Sequence, residues 1–285
     1  MQIAIVLYDR FTALDAIGPY QVLSALPGAD VVFAAERPGP MGLVSDEEGR
    51  LIVSAEAALS DVPRPDIVVV PGGPGQRDQM ADGPLHAWLR DADQTSTWTT
   101  SVCTGSLILA AAGLLTGRRA TSYWMAVDQL AKFGATPVTE RVVFDGKYVT
   151  AAGVSSGIDM ALALAGRIAG DRTAQAIQLG IEYDPQPPYD AGSPDRAPAD
   201  LVTALRARSR LTLTAAPSPS RPRERKKPTA PRTRPHPANS HTGRSPARWS
   251  TRAPPGSSRQ AGRRTRSPRR RPCRESATRS GPRSR

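Results

Sequence analysis

The feature that most constrains this 285-residue sequence is that its large apolar side chains stop at Leu213. Beyond that residue there is no Ile, Leu, Val, Met, Phe or Tyr, and Trp249 is the only large apolar side chain left to bury. Such a segment cannot bury enough apolar surface to offset the conformational entropy lost on folding. The sequence therefore predicts one folded domain over residues 1–210 and a disordered Arg/Pro/Ser-rich tail over residues 211–285.

The charges divide at the same place. Residues 211–285 contain 21 Lys and Arg against two acidic residues, a charge of +19, whereas residues 1–210 carry a charge of −7. The isoelectric point of about 10.6 thus describes a basic tail on an acidic domain. Such a tail allows non-specific contact with nucleic-acid phosphates. We favour a solvated extension or an out-of-frame translation, because the tail lacks aromatic residues interleaved for base stacking.

Several classes of protein are excluded by what the sequence lacks. No apolar run reaches the roughly 18 residues of a membrane span, and the chain enters Gln2–Tyr8 without the pattern of a signal peptide. The cysteines are Cys103 and Cys273, and His86 is the one histidine of the predicted domain. We therefore expect a reduced, cytoplasmic protein without a His/Cys metal site.

Short aliphatic runs alternate with helix-like stretches along the first 180 residues. This alternation predicts a doubly wound, mostly parallel α/β sheet with helices on both faces, the flavodoxin-like architecture. An Asp145-Gly146 turn between Val142–Phe144 and Tyr148–Ala151 predicts a hairpin. The proline-rich stretch 182–198 predicts a surface loop, and 199–208 predicts a last helix. The predicted strands are 3–7, 31–34, 67–70 and 97–102, and the other predicted helices are 15–26, 84–92, 105–115, 158–169 and 173–179.

Cys103 lies in Ser-Val-Cys-Thr-Gly, between a predicted strand and a predicted helix. The small residues Ser101 and Gly105 flank it, as in a nucleophile elbow, where the turn is sharp. A helix N-terminus behind the sulfur favours the thiolate. The alternative is a buried, inert cysteine that acts as a small apolar side chain. The position at a strand-to-helix corner favours a nucleophile.

Other candidate residues follow neighbouring strands. Gly72 and Gly73, in Pro-Gly-Gly-Pro-Gly, would let backbone N–H groups approach a developing negative charge, or they form an ordinary turn. Asp15 either caps a helix with Thr12 or serves as a general acid and base at the edge of the crevice. His86 is interpreted as a surface residue, which removes a Cys-His mechanism.

Together these motifs resemble the isocyanide hydratase branch of the PfpI / class I glutamine amidotransferase-like superfamily. The similarity covers about residues 1–210. It rests on Leu-Asp-Ala-Ile-Gly-Pro at 14–19, Pro-Gly-Gly at 71–73, Thr-Ser-Val-Cys-Thr-Gly-Ser at 100–106, Ala-Ala-Ala-Gly-Leu-Leu at 110–115, Arg-Ala-Thr at 119–121, Glu-Arg-Val-Val at 140–143, Asp-Gly at 145–146, Gly-Ile-Asp at 157–159 and Pro-Pro-Tyr-Asp-Ala-Gly-Ser-Pro-Asp at 187–195. The family commonly has a histidine where Tyr123 stands and a glycine run at positions 151–153.

The resemblance implies hydration of a small-molecule isocyanide to an N-formamide, without a cofactor, by a homodimer. It assigns Cys103 as the nucleophile, Asp15 as the acid and base, and Thr104 as a hydrogen-bonding neighbour. It also places the backbone of Gly72, Gly73 and Val154 around the reacting centre. Relatives with peptidase-like activity have a histidine at the position of Thr104, which argues against a protease.

Two other functions stay open from the sequence. The first is a ligand-sensing domain like that of AraC-type transcriptional regulators, although residues 211–285 lack the apolar periodicity of a helix-turn-helix region. The second is a redox-sensing or chaperone-like relative that uses Cys103 reversibly.

Overall fold

The computed structural model describes residues 1–43 and 51–209. The predicted tail lies outside the described residues, and the domain boundary at residue 210 stays a prediction. Within the described part the expected doubly wound α/β fold is confirmed: one mostly parallel sheet is flanked by helices.

The central sheet has seven strands in the order β10-β11-β7-β6-β1-β2-β5. All neighbours are parallel except β10 and β11, which form the hairpin predicted at Asp145-Gly146. Gly146 has a φ of +62°, a conformation that suits a hairpin turn and glycine. The strands of this sheet are β1 (Gln2–Val6), β2 (Asp30–Ala35), β5 (Ala57–Ala58), β6 (Ile67–Val70), β7 (Trp98–Val102), β10 (Val142–Asp145) and β11 (Tyr148–Ala151).

In the described part of the chain, four further strands lie outside this sheet and were not predicted. β3 (Gly39–Leu43) and β4 (Leu51–Ala55) form an antiparallel pair, and β8 (Arg119–Ala120) pairs with β9 (Thr136–Pro137) in parallel. β3 contains two glycines and a proline, residues that are depleted in strands, so no strand pattern is visible there.

Within residues 1–43 and 51–209, six α-helices cover the sheet or follow it. They are α1 (Ala13–Leu23), α2 (Pro84–Asp93), α3 (Gly105–Ala111), α4 (Ser156–Ala169), α5 (Asp171–Gly180) and α6 (Ala199–Arg208). Three 3-10 helices, Leu59–Asp61, Pro74–Gln79 and Val127–Phe133, occupy connections. The predicted helix over 105–115 ends four residues early, because Gly113 adopts a φ of +86°.

The core lies on both faces of the central strands. All residues of β6, and all but the first of β1, are buried, as expected for parallel strands covered on both sides. Helices α1 and α4 pack closely together, since a Cβ atom at Gly18 would lie 3.1 Å from Ile158 Cγ1. No helix of the described residues is long and apolar enough to cross a membrane.

The segment after α5 extends over the surface. Residues 182–198 form no regular element, as predicted, and almost all of them are exposed or half-buried. Helix α6 follows with the predicted bounds and has no buried residue. Its Arg206 guanidinium lies 5.4 Å from the centroid of the Trp124 ring.

The order of the strands fixes where a crevice forms. β1 lies between β2 and β6, so the chain moves to one side of β1 first and then to the other. In doubly wound sheets, ligands bind outside the carboxyl ends of the strands at this switch point. The segments that leave β1, β6 and the adjacent β7 contain Asp15, Gly72 and Cys103 respectively.

Candidate active site

Cys103 stands at the corner between β7 and α3. Its φ of +58° is left-handed, a conformation that non-glycine residues rarely adopt. The corner is tightly packed: a Cβ atom at Gly105 would lie 2.1 Å from the Val70 carbonyl oxygen, and one at Gly72 would lie 2.9 Å from Cys103 Cβ. Glycine is therefore required on both sides of the corner.

Hydrogen bonds hold the backbone of Cys103 on both sides. Its N–H group donates to the carbonyl oxygen of Ala152 at 2.8 Å. Its carbonyl oxygen accepts from Ser106 Oγ at 3.1 Å and from Ser122 Oγ at 3.0 Å. Several hydrogen bonds thus hold Cys103 in its strained conformation, as is usual for strained residues at functional sites.

Asp15 is fully buried in the first turn of α1. Its Oδ2 atom accepts the N–H group of Gly72 at 2.9 Å. Thr12, the residue before the helix, makes no side-chain cap, so the capping-box alternative for Asp15 is not what the structure shows. Oδ1 has no partner at hydrogen-bond geometry within residues 1–43 and 51–209, although the thiol of Cys103 is close enough to influence the carboxyl group.

Burial governs the protonation of Asp15. It raises the pKa of the carboxyl group from 3.8 to about 7, against the opposing effect of hydrogen bonds from the Gly72 N–H group and from Cys103. A carboxyl group with this pKa is present in both protonation states near neutral pH. It can therefore give up a proton and take one back.

The thiol of Cys103 differs from the sequence-based expectation. Burial, and then the charge of Asp15, raise the pKa of the thiol well above its ordinary value, whereas hydrogen bonds from the N–H groups of Thr104 and Val154 lower it. The thiolate predicted from the helix N-terminus is therefore not the resting form. The prediction counted the helix dipole but not the burial, because Cys103 is only 6% exposed.

The predicted backbone groups are close to the corner. The Gly72 N–H group donates to Asp15, and the Gly73 N–H group donates to Thr104 Oγ1 at 3.0 Å. Both N–H groups therefore have protein acceptors and orient the side chains that they contact. The N–H groups that interact with the sulfur belong to Thr104 and to Val154, whose φ is +32°. The structure thus brings together all six predicted site residues.

Two tyrosines near the site were not predicted. Tyr8, directly after β1, is buried and donates its hydroxyl to the Pro71 carbonyl oxygen at 2.8 Å. Burial, Asp15 and Cys103 together raise its pKa. The Tyr123 ring lies against Gly153, where a Cβ atom would be 2.9 Å from Tyr123 Cδ2. The sequence signal for Tyr123 was its departure from the family's histidine, and nothing in the sequence singled out Tyr8.

The interpretation of His86 as a surface residue is wrong. Its side chain is 1% exposed, and neither ring nitrogen has a partner at hydrogen-bond geometry in the described part of the chain. Nδ1 lies 3.7 Å from the Asp82 carboxylate. Leu85, His86 and Leu89 are all buried, so the apolar face of α2 is wider than its periodicity indicated. His86 is not among the groups that shift the pKa of Cys103.

A half-open cavity of about 390 Å³ lies beside Tyr8, at the carboxyl ends of β1 and β2. Leu7, Leu59 and Leu85 form its apolar part, and Glu36 and Arg37 are among its charged residues. Cys103 and Asp15 do not line it, and Cys103 is itself only 6% exposed. No group of His, Cys, Asp and Glu that could hold a metal ion occurs among the described residues.

These features define a flavodoxin-like α/β domain with a buried cysteine at a strand-to-helix elbow and a carboxyl group beside it. The chain belongs to the DJ-1/PfpI family, whose model matches residues 1–167.

Comparisons with individual proteins agree with this family. The chain is 42% identical to the isonitrile hydratase of Pseudomonas putida over 213 residues, which are 75% of this chain and 92% of that protein. It is 33% identical to the HTH-type transcriptional regulator CdhR of Pseudomonas aeruginosa, over 46% of this chain and 39% of the regulator. The crystal structure of a THiJ/PfpI family protein from Pseudomonas syringae superposes with a TM-score of 0.69 at 36% identity, covering 72% of this chain and 84% of that one.

Proposed function

We propose that this protein is an enzyme of the hydro-lyase type that hydrates isocyanides to N-formamides. The observation that carries the proposal is the buried pair of Cys103 and Asp15, in which the carboxyl group has a pKa of about 7. Similarity to the isonitrile hydratase supports the choice of substrate. The pair supplies a nucleophile and a proton donor within one enclosed space.

The first step joins the sulfur to the substrate carbon. In the singly protonated pair the proton rests on the Cys103 sulfur, and its transfer to Asp15 gives the reactive arrangement, a thiolate beside a protonated carboxyl group. The thiolate attacks the terminal carbon of R–N≡C, and Asp15 delivers its proton to that same carbon. The product is a covalent thioimidate, R–N=CH–S–Cys103, and Asp15 becomes a carboxylate.

The second stage consumes water. The Asp15 carboxylate takes a proton from water while the oxygen adds to the thioimidate carbon, and the proton passes to the substrate nitrogen. The resulting adduct, R–NH–CH(OH)–S–Cys103, breaks its carbon–sulfur bond, and its hydroxyl proton returns to Asp15. The products are the formamide, the Cys103 thiolate and protonated Asp15, so the reactive arrangement is restored without a cofactor.

The surrounding residues have assigned parts in this scheme. The Gly72 N–H group orients Asp15, and the Gly73 N–H group orients Thr104. The N–H groups of Thr104 and Val154 interact with the sulfur and stabilise negative charge when it leaves the adduct. An isocyano group is linear and two atoms long, which suits a sulfur that is almost enclosed. We further infer a homodimer in a reducing, cytoplasmic setting.

The direct test is to incubate the protein with an alkyl isocyanide and to detect the formamide by NMR. Cys103→Ala is expected to abolish formamide formation. Cys273→Ser, which removes the other cysteine of the sequence, is expected to keep full activity and serves as the matched control. Activity that persists in Cys103→Ala would refute the assignment.

The sensing and redox alternatives predict a different result. A ligand-sensing domain, which the partial similarity to CdhR supports, would bind an isocyanide without releasing formamide. A redox-sensing relative would accumulate oxidised Cys103 under peroxide without turnover. The matched part is 39% of the regulator, so the similarity does not extend over most of that protein.

A further inference from the structure

The turn between β11 and α4, residues 152–155, forms one wall of the candidate site. Ala152 accepts the N–H group of Cys103 at 2.8 Å, and Val154 presents its N–H group to the sulfur. Val154 has a φ of +32°, which is costly for a β-branched residue. Such a conformation persists only when neighbouring groups hold it.

Arg141 holds this turn at both ends. Its carbonyl oxygen accepts the N–H group of Ala152 at 2.9 Å, and its Nη2 atom donates to Ser155 Oγ at 3.2 Å. Gly153 and Val154 lie between these two contacts. A single residue thus fixes the start and the end of the strained segment.

The Arg141 guanidinium is itself fixed by Asp159 in the first turn of α4. Arg141 Nε donates to Asp159 Oδ2 at 2.6 Å, and the Tyr183 hydroxyl donates to Asp159 Oδ1 at 3.0 Å. Both oxygens of Asp159 therefore have partners. Tyr183 belongs to the segment after α5, so that segment is joined to the wall of the site.

We propose that Arg141, oriented by Asp159 and Tyr183, is a positioning residue that keeps the Val154 N–H group directed at the Cys103 sulfur. The inference deepens the proposed function, since the N–H group stabilises the thiolate that attacks the isocyanide. Arg141 touches neither the sulfur nor the substrate in this scheme. Its effect on Cys103 passes through the turn.

An ordinary surface ion pair is the competing explanation, and the chain offers a matched comparison. Arg119 forms an ion pair with Glu140, and its side chain is 52% exposed, the same fraction as that of Arg141. Exposed pairs of this kind contribute little to stability. Arg119 has no hydrogen bond to the turn among the described contacts.

The test measures the reactivity of Cys103 rather than turnover. In a Cys273→Ser background, the rate of alkylation by iodoacetamide is followed from pH 6 to pH 10 for Arg141→Met and for the control Arg119→Met. We expect Arg141→Met to lower the alkylation rate at pH 8 by about tenfold, which corresponds to a rise of about one in the apparent pKa of the thiol. Arg119→Met is expected to stay within about twofold of the parent.

Milder variants keep the proposal testable if Arg141→Met does not fold. Ser155→Ala and Tyr183→Phe each remove one hydrogen bond and leave Arg141 in place. Each is expected to lower the rate by about threefold. Arg141→Lys retains the positive charge but not the planar guanidinium group with its several N–H donors. It is therefore expected to restore part of the alkylation rate lost in Arg141→Met.

The outcomes separate this inference from the proposed function. Equal alkylation rates in the parent and in all of these variants would overturn the positioning role, as would equal effects of Arg141→Met and Arg119→Met. Since alkylation needs no isocyanide, an effect seen only at Arg141 supports the inference even if no formamide forms. In that case the hydration proposal alone fails.

Discussion

At the scale of single residues, Asp15 combines a chemical role with a cost to stability. Its folded-state pKa of about 7 lies above the ordinary value of 3.8. Between these two pH values the folded protein therefore holds a proton that the unfolded chain has already lost. The stability contributed by that proton is present at low pH and disappears as the pH rises through 7.

Replacing Asp15 is therefore expected to stabilise the protein while stopping the reaction. Asp15→Asn keeps an oxygen for the Gly72 N–H group but cannot be charged. At pH 8 its free energy of unfolding should exceed that of the parent by up to about 4 kcal/mol, and formamide production should fall by at least about a hundredfold. Urea unfolding at pH 5 and pH 8 measures the first effect, and a gap that does not grow with pH would contradict it.

The contribution of His86 to the free energy of unfolding has the opposite pH dependence to that of Asp15. Burial lowers the pKa of its imidazole, with the Asp82 carboxylate opposing the effect, so the folded state resists protonation. Stability is then lost as the pH falls below about 6.5. His86→Leu should raise the free energy of unfolding by about 1–2 kcal/mol at pH 5.5 and by less at pH 8. Because His86 has no part in the scheme, unchanged formamide production is the control.

At the scale of elements, the site is built where the connections leaving β1, β6 and β7 meet. The 3-10 helix Pro74–Gln79 and the two residues before it lie directly against the start of α3. A Cβ atom at Gly72 would be 2.4 Å from the Thr104 backbone nitrogen. The connections after β6 and β7 are therefore too close together for a side chain at position 72.

Gly72→Ala tests this close approach. The variant must move the Pro-Gly-Gly turn away from the elbow, so it is expected to lose about 1–3 kcal/mol of stability and to lower formamide production by about a hundredfold. Gly180→Ala, at the end of α5 where an added Cβ atom meets nothing within 4 Å, is the matched control and should be neutral or slightly stabilising. Thermal unfolding and the formamide assay measure both.

How far the sequence predicted these elements depends on the kind of signal. Aliphatic runs such as Ile67–Val70 predicted the buried strands, and Asp145-Gly146 predicted the hairpin, because both patterns are local. Strand β3 was missed because its glycine and proline residues conceal the strand pattern. For Cys103, the position at an elbow is local, whereas the protonation state depends on burial by distant segments and so was predicted in the wrong direction.

At the scale of the whole molecule, the sequence divides into an acidic part with the apolar side chains of a core and a basic part in which Trp249 is the only large apolar side chain after Leu213. The family model matches residues 1–167, which lie in the first part. We expect a chain lacking residues 215–285 to keep its thermal unfolding midpoint and its formamide production within about twofold. Retention on immobilised nucleic acid should fall, since the removed segment carries the positive charge. Loss of activity on truncation would show that the basic segment takes part in the fold.

The left-handed backbone of Cys103 also matters for protein engineering. A glycine would adopt that φ without strain, and an uncharged residue at position 15 would remove the cost of a buried charge. A library sorted only for survival on heating is therefore expected to enrich variants at these two positions that are robust but inert. Directed evolution of this scaffold needs a catalytic screen at every round, because heat resistance and turnover make opposite demands on the same atoms.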